Sequence, residues 1–386
     1  MKFRYIKLIP GGVCQPEHFR VNARAVPFHE QHGGQPNVAL IACKTHCATA
    51  CAFSNGGYNG ACNVVTAKHF SSGYARAVVL VGESAIMNTE KAFTIERICR
   101  EVAKCLQIPD EEVFIATNGA LGQRFEGELL IEESSSLANG LVADAADTTP
   151  IAKAIHGKQA ACIFELSNFK GKIGAVYSSD GATTCMLTTD VAIAPDTLQK
   201  ALSTALKETF YQTAYSSINS PNDYVGILAN GGLGNYKISC EDTEYKKFLM
   251  ALEEFLAYIC RDLVKEHGEK RLLTCTVKNT KSKRAARAFA KAVVSCEYVK
   301  RKLSQLDFDL QGIVGALNQT GESWDMQKMC IVYRSNDTEF VLFEDGIAAE
   351  YFPVVPEIIC EEDEVEIRID FKSGNYGATA YTGVYK

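Results

Sequence analysis

The chain has 386 residues, 47% of them hydrophobic, with 40 basic against 46 acidic residues and a formal net charge of −6. That length suits about two domains with a full apolar core, and the mildly negative balance excludes an electrostatic footprint for nucleic acid or an anionic membrane, so small-molecule partners are expected. No apolar run approaches the roughly 18 residues of a bilayer span and Met1 to Pro10 lacks a signal core, so a cytoplasmic location with no membrane partner is expected, with the 15 cysteines as reduced thiols.

Near the N-terminus, Cys43, His46, Cys47, Cys51 and Cys62 cluster. Their spacing contains no C-x2-C pair, and the interleaved Ala and Thr suit a packed strand or helix, so structural thiols and no metal are expected. Asn55-Gly-Gly-Tyr-Asn-Gly60 lacks the phosphate-loop pattern and reads as a turn. Thr94 to Gln107 places Ile95, Ile98, Val102, Cys105 and Leu106 on one helical face, and Pro109, Asp110 and Glu111 lead into an apolar run, Val113 to Ala116, that suits a buried strand.

Three further helices follow from periodicity: Asp196 to Phe210, Thr243 to His267 with Gly268 as its stop, and Ser282 to Cys296 with a basic outer side. The basic run Lys281 to Arg287 is expected to be a solvated face. Met329 to Arg334, Glu339 to Phe343 and the alternating Val365, Ile367, Ile369, Phe371 read as strands. The expected class is α/β, with mixed sheets and flanking helices.

Between Lys170 and Asp190 small residues and hydroxyls dominate, and Ser178 to Thr184 is the expected break near the middle of the chain. A threonine held after Gly181-Ala182 can attack the preceding carbonyl, convert the amide to an ester and, once water cleaves that ester, emerge as a new N-terminus. Its α-amine, with an ordinary pKa of roughly 8, then serves as base for its own hydroxyl. By composition alone the segment reads as a turn. Cys185 is a rival nucleophile, but no histidine can be placed beside it from the sequence.

Ala182-Thr183 is followed by Thr188-Thr189-Asp190 and preceded by Lys172, 11 positions before the threonine. Pro10-Gly-Gly-Val13 with Pro16 and Phe19, Ala75 to Val79, Ala116-Thr-Asn-Gly119 with Gly122, Asn222-Asp223, Leu228-Ala-Asn-Gly231, Gly268-Glu269, and Glu366-Ile-Arg-Ile-Asp370 with Ala378-Thr-Ala380 complete an ordered set. In that set the chain resembles the ornithine acetyltransferase (glutamate N-acetyltransferase) family over nearly its whole length.

The resemblance implies cleavage between Ala182 and Thr183 into chains of residues 1–182 and 183–386 that stay assembled, two of each. It implies a ping-pong acyl transfer between amino acids with Thr183 as nucleophile, Asn118 and Gly119 at the oxyanion hole, and no cofactor or metal. Lys172 is then the partner of a substrate carboxylate and Glu269 of a substrate amine.

The chain departs from the family at several points. Asn118-Gly119 stands where the family has Thr-Gly, and Ala146 stands where a substrate-touching hydroxyl is expected. Gly268-Glu269 continues Lys-Arg-Leu-Leu, Asp307 to Gly312 replaces another family segment, and the family's C-terminal tail has no counterpart before Lys386. The substrate pair therefore stays open. So do two alternatives: an amidohydrolase or aminopeptidase using the same threonine, and an uncleaved, inactive relative that binds a ligand or partner.

Overall fold

The computed structural model describes residues 3–28, 34–54, 56–84, 86, 91–119, 125–143, 147–214, 220–265, 270–307, 310–349, 359 and 362–385. They form two compact units, Met1–Ala205 with Ile218–Phe255, and Leu206–Ser217 with Leu256–Lys386. The expected break at Ser178 to Thr184 is not a unit boundary; it is a turn between two neighbouring strands, and the units part within helices farther along the chain.

In the first unit the elements run β1 (Ile6–Ile9), β2 (Phe19–Arg24), β3 (Val38–Phe53), α1 (Ala61–His69), β4 (Tyr74–Val81), α2 (Ala92–Leu106), β5 (Val113–Thr117), α3 (Gly127–Asn139), α4 (Thr149–Ala154), β6 (Lys158–Glu165), β7 (Lys170–Ser178), β8 (Thr184–Thr189), α5 (Pro195–Glu208), β9 (Tyr224–Ala229) and α6 (Thr243–Val264). The strands join in the order β1-β6-β7-β8-β9-β3-β4-β5, with β2 also on β3. Helices α5 and α6 carry the chain across the unit boundaries.

Strands β4, β5, β8 and β9 of this sheet are buried at nearly every position, which removes the alternation of a half-exposed strand. Leu40, Val79, Val81 and Ile115 pack against Val65 of α1, Ile98 and Val102 of α2 and Leu130 of α3. On the other side, Val78, Leu80, Phe114 and Ala116 from β4 and β5 share one core with Val176, Met186 and Leu228 from β7, β8 and β9. The two flanks of the sheet therefore face each other. Strand β3, 16 residues long, belongs to both and bends between them where its register against β4 shifts between Ala42 and Cys47. Phe248 of α6 covers the second flank at Phe164, with ring centroids 5.9 Å apart.

Ile95, Ile98 and Val102 of α2 are buried as expected, but Cys105 is exposed. The helix ends one residue after Leu106 in a left-handed Gln107 (φ 57), so Cys105 sits in its unwinding last turn and is not held inward.

The second unit contains β10 (Lys270–Thr280), α7 (Lys283–Ser295), α8 (Glu297–Ser304), α9 (Leu310–Gln319), β11 (Cys330–Ser335), β12 (Thr338–Glu344), β13 (Ile347–Ala348), β14 (Glu364–Asp370) and β15 (Tyr376–Tyr385). Its sheet runs β13-β12-β11-β14-β10-β15, with β10 parallel to β14 and the other pairs antiparallel. Ser282 caps α7 by accepting from the Ala285 N–H at 3.1 Å, and Phe289 on its buried face stacks on Phe371 at 4.5 Å. The basic run faces solvent at Lys281 and Arg284, as expected, and is also paired: Lys283 and Arg287 both meet Glu208, and Arg284 meets Glu322. No helix among the described residues is long and apolar enough to cross a membrane.

Candidate active site

Thr183 precedes the first residue of β8, in the middle of the doubled sheet. Ser178 of β7 stands opposite Thr184 in antiparallel register, and Tyr224 of β9 stands opposite the same residue in parallel register. The Tyr224 N–H donates to the Thr183 carbonyl at 2.8 Å, so the nucleophile candidate has its backbone anchored by a neighbouring strand. Ala182 and Thr183 are only 3% and 4% exposed.

The doubling of the sheet brings the end of β5 against this turn. A Cβ on Gly181 (φ +74) would lie 2.1 Å from the Gly119 carbonyl oxygen, and one on Gly119 (φ +127) would lie 2.6 Å from the Glu83 carbonyl carbon. Both positions need glycine for two reasons, the left-handed backbone and the close approach. Three segments ending at Glu83, Gly119 and Gly181 are thereby stacked directly on one another.

Asp223, 1% exposed, holds the Thr183 nitrogen. Its Oδ1 accepts from the Thr183 N–H at 2.7 Å and its Oδ2 from the Ser220 N–H at 2.7 Å. Asn63 of α1 fixes the same loop by donating to the Pro221 and Asp223 carbonyls at 2.9 and 3.0 Å. The Thr117 hydroxyl donates to Asn222 Oδ1 at 3.2 Å, tying the loop to the strand that leads into Asn118.

Asn118 donates its amide to the Ile155 carbonyl at 3.0 Å, and its own Oδ1 is buried without a protein partner, as are Ser84 Oγ, Thr184 Oγ1 and Asn63 Oδ1. Buried polar atoms are rarely left unpaired, and four of them lie around this one turn. His156 bridges the segments from above the turn, with Nδ1 2.9 Å from Asp180 Oδ2 and Nε2 3.6 Å from Glu83 Oε1.

Thr183, Ala182, Gly119 and Asn118 thus converge. Lys172 does not join them: its neighbour Ile173 stands opposite Thr189, at the far end of β8, roughly 20 Å along the strand from Thr183 at ~3.3 Å per residue. There its N–H donates to Asp190 Oδ1 at 2.9 Å, and burial raises the Asp190 carboxyl above its ordinary value despite the nearby lysine. Glu269 lies outside the described residues, as do Ala146 and Gly122. Cys185, the rival nucleophile, is a fully buried strand residue opposite Tyr177.

Of the N-terminal cysteine group, Cys43, Cys47 and Cys51 lie in β3 and Cys62 in α1, and burial pushes the Cys51 and Cys62 thiols up to about 12. No group of three or more His, Cys, Asp or Glu among the described residues could hold a metal ion.

Asp223, Ser84 and His156 stand at this turn without a signal of it in the sequence. Asn222-Asp223 is visible there as a motif, and the fold sets it beside the Thr183 nitrogen. Asn63 on the buried side of a short helix was a usable signal, because a buried amide needs partners.

The ArgJ family model matches residues 22–384. The arginine biosynthesis bifunctional protein ArgJ of Thermotoga neapolitana is 27% identical over 322 residues, covering 81% of this chain and 79% of that protein. The glutamate N-acetyltransferase of Methanocaldococcus jannaschii is 25% identical over 407 residues, covering 97% and 96%. A crystal structure of the ArgJ protein of Bacillus halodurans aligns with 51% of this chain and 92% of that chain at 23% identity, with a TM-score of 0.47.

Proposed function

The chain belongs to the ArgJ family and is an acyltransferase, and we propose that it moves an acetyl or similar acyl group between amino-acid amines by way of Thr183. The reading rests above all on the 2.7 Å hydrogen bond from the Thr183 nitrogen to Asp223, at a turn packed against Gly119.

The chain first cuts itself. Thr183 Oγ1 attacks the Ala182 carbonyl carbon, a C–O bond forms as the C–N bond breaks, and the hydroxyl proton ends on the departing nitrogen. Water then cleaves the ester, leaving a carboxylate on Ala182 and a free α-amine on Thr183. The neutral amine takes the proton of its own hydroxyl as the hydroxyl attacks a substrate, and the Asp223 carboxylate beside that nitrogen stabilises the ammonium that forms.

Transfer follows in two half-reactions. Thr183 Oγ1 takes the acyl group from an N-acylated amino acid, releasing the amine, and a second amine then attacks the threonine ester and leaves as the new amide. No water is consumed, and exchange of one amide for another is close to isoenergetic. The Gly119 N–H and the second N–H of the Asn118 amide are the assigned donors to the oxyanion. Glu269 is assigned to a substrate amine. Lys172 is kept as a carboxylate partner only for a substrate reaching along β7. The two chains are expected to remain assembled, two of each.

A denaturing mass measurement tests the first step and an acyl-transfer assay the second. Two fragments, one ending at Ala182 and one beginning at Thr183, and acyl transfer lost in Thr183→Ala are the expected results. Release of free acid without an acceptor amine would instead mark an amidohydrolase. One uncut mass with no turnover would mark a binding relative.

A further inference from the structure

Cys43 and Cys47 sit at the bend of β3, and the register there is unusual. Ala42 stands opposite Ala77 and Cys47 opposite Ala75, so five steps along β3 are matched by two along β4. Two strand steps cover roughly 6.6 Å, and the surplus residues are extruded as a wide bulge. Lys44, Thr45 and His46 are exposed while Cys43 and Cys47 remain buried beneath them. This looping brings the side chains of two cysteines four residues apart into contact with each other, whereas a straight strand would hold residues at that spacing roughly 13 Å apart.

Both thiols are free and close on the same exposed residue. Cys43 Sγ lies 3.4 Å from Thr45 Oγ1, and Cys47 Sγ donates to the Thr45 carbonyl at 3.5 Å. Arg76 pins the bulge by donating to the Lys44 carbonyl at 2.6 Å. We propose that Cys43 and Cys47 are a redox-active dithiol, a modification site at the bend of the doubled sheet that exchanges with small disulfides.

The two sulfurs are unequal, as such exchange requires. A hydrogen bond from the Cys47 thiol draws Cys43 down to about 6 against the opposing effect of burial, whereas the same contact and burial push Cys47 upward. Cys43 is therefore the attacking thiolate and Cys47 the resolving thiol. Burial raises Cys51, Cys62 and Cys99, which removes them as competitors at neutral pH.

The chemistry balances with one small disulfide as oxidant. The Cys43 thiolate attacks a sulfur of the small disulfide, forming a mixed disulfide and releasing one small thiolate, which takes up a proton. Cys47 then gives up its proton, attacks Cys43 Sγ and releases the second small thiol. Two protein thiols are oxidised and one small disulfide is reduced to two thiols. The proposal is independent of the acyl-transfer reading, since neither sulfur touches the Thr183 turn.

The test uses the full chain, equilibrated in glutathione buffers from reducing to oxidising, quenched with acid, alkylated after denaturation and mapped by peptide mass. The expected result is the loss of two alkylation sites through a single Cys43–Cys47 link that dithiothreitol reverses. In Cys47→Ser, glutathione should stay trapped on Cys43. Both cysteines remaining alkylatable in the most oxidising buffer would overturn the proposal. A link from Cys43 to another cysteine, or glutathione retained equally by the wild-type chain, would overturn it too. The wild-type map alone decides the matter if the variant fails to fold.

Discussion

The two sheets use the same strand geometry and treat polar residues in opposite ways. In the six-stranded sheet, β14 buries Val365, Ile367 and Ile369, and its alternate positions carry charges: Arg368 pairs with Glu339 and Glu366. In the nine-stranded sheet, β8 is buried at every position although three of its six residues are threonines, and Thr188 and Thr189 bond to the Val13 and Lys172 carbonyls. Among the described residues, four buried polar atoms without a partner lie around the start of β8, on Asn63, Ser84, Asn118 and Thr184, against two in the six-stranded sheet, on Arg271 and Arg368. The first sheet is organised around packing, and the second around a turn where packing has been traded for polar groups.

This contrast predicts that substitutions at the turn remove activity with small effects on stability, and that those in the six-stranded sheet do the reverse. Thr183→Ala is expected to have the largest effect, abolishing the chain break and lowering acyl transfer by more than about 10³-fold. Its unfolding free energy, read from urea denaturation, should change by only about 1 kcal/mol. An intact mass with unchanged transfer would end the nucleophile assignment.

Phe289→Ala removes half of the stack on Phe371 and should destabilise by about 3–5 kcal/mol, read from urea denaturation. Cleavage at Ala182-Thr183 should persist below the unfolding midpoint; its loss would break the division between the two sheets. Gly181→Ala forces a Cβ onto the Gly119 carbonyl and should slow cleavage by about 10²-fold, with a cost of about 1–3 kcal/mol. A time course of fragment appearance measures it.

The mirror of that substitution lies in α9, where a Cβ on Gly315 meets nothing within 4 Å. Gly315→Ala should therefore stabilise by about 0.5–1 kcal/mol with transfer unchanged. The mildest test is pH. Burial holds Lys291, which donates to the Thr213 carbonyl at 2.6 Å, down to about 8 from its ordinary 10.5. A value lowered in the folded state contributes stability that is fully present above 10.5 and lost as pH falls through about 8. Stability should rise between those pH values, and Lys291→Met should flatten the slope.

Periodicity made the helices α2, α5, α6 and α7 legible to within a few residues, and it exposed β5, β11, β12 and β14, because each buries a regular set of apolar side chains. Strands β7, β8 and β9 were not legible. Covered on both faces and rich in glycine and threonine, they lose the alternation that marks a half-exposed strand. The spacing of the cysteine group gives no sign that Cys43 and Cys47 meet, because their pairing depends on a bulge that no spacing rule reveals.

The sequence by itself singled out Ala182-Thr183 and Asn118-Gly119 as candidates, through the order of motifs that the chain shares with the family it resembles. Only the tertiary structure decided their company. Gly119 meets Gly181 because β3 bends and folds one flank of its sheet over the other, and Asp223 reaches the Thr183 nitrogen because β9 lies parallel to β8. Lys172 is kept apart because antiparallel register carries it toward the other end of the hairpin. Contacts between residues distant in the chain are set by strand order and register, which local propensity does not encode.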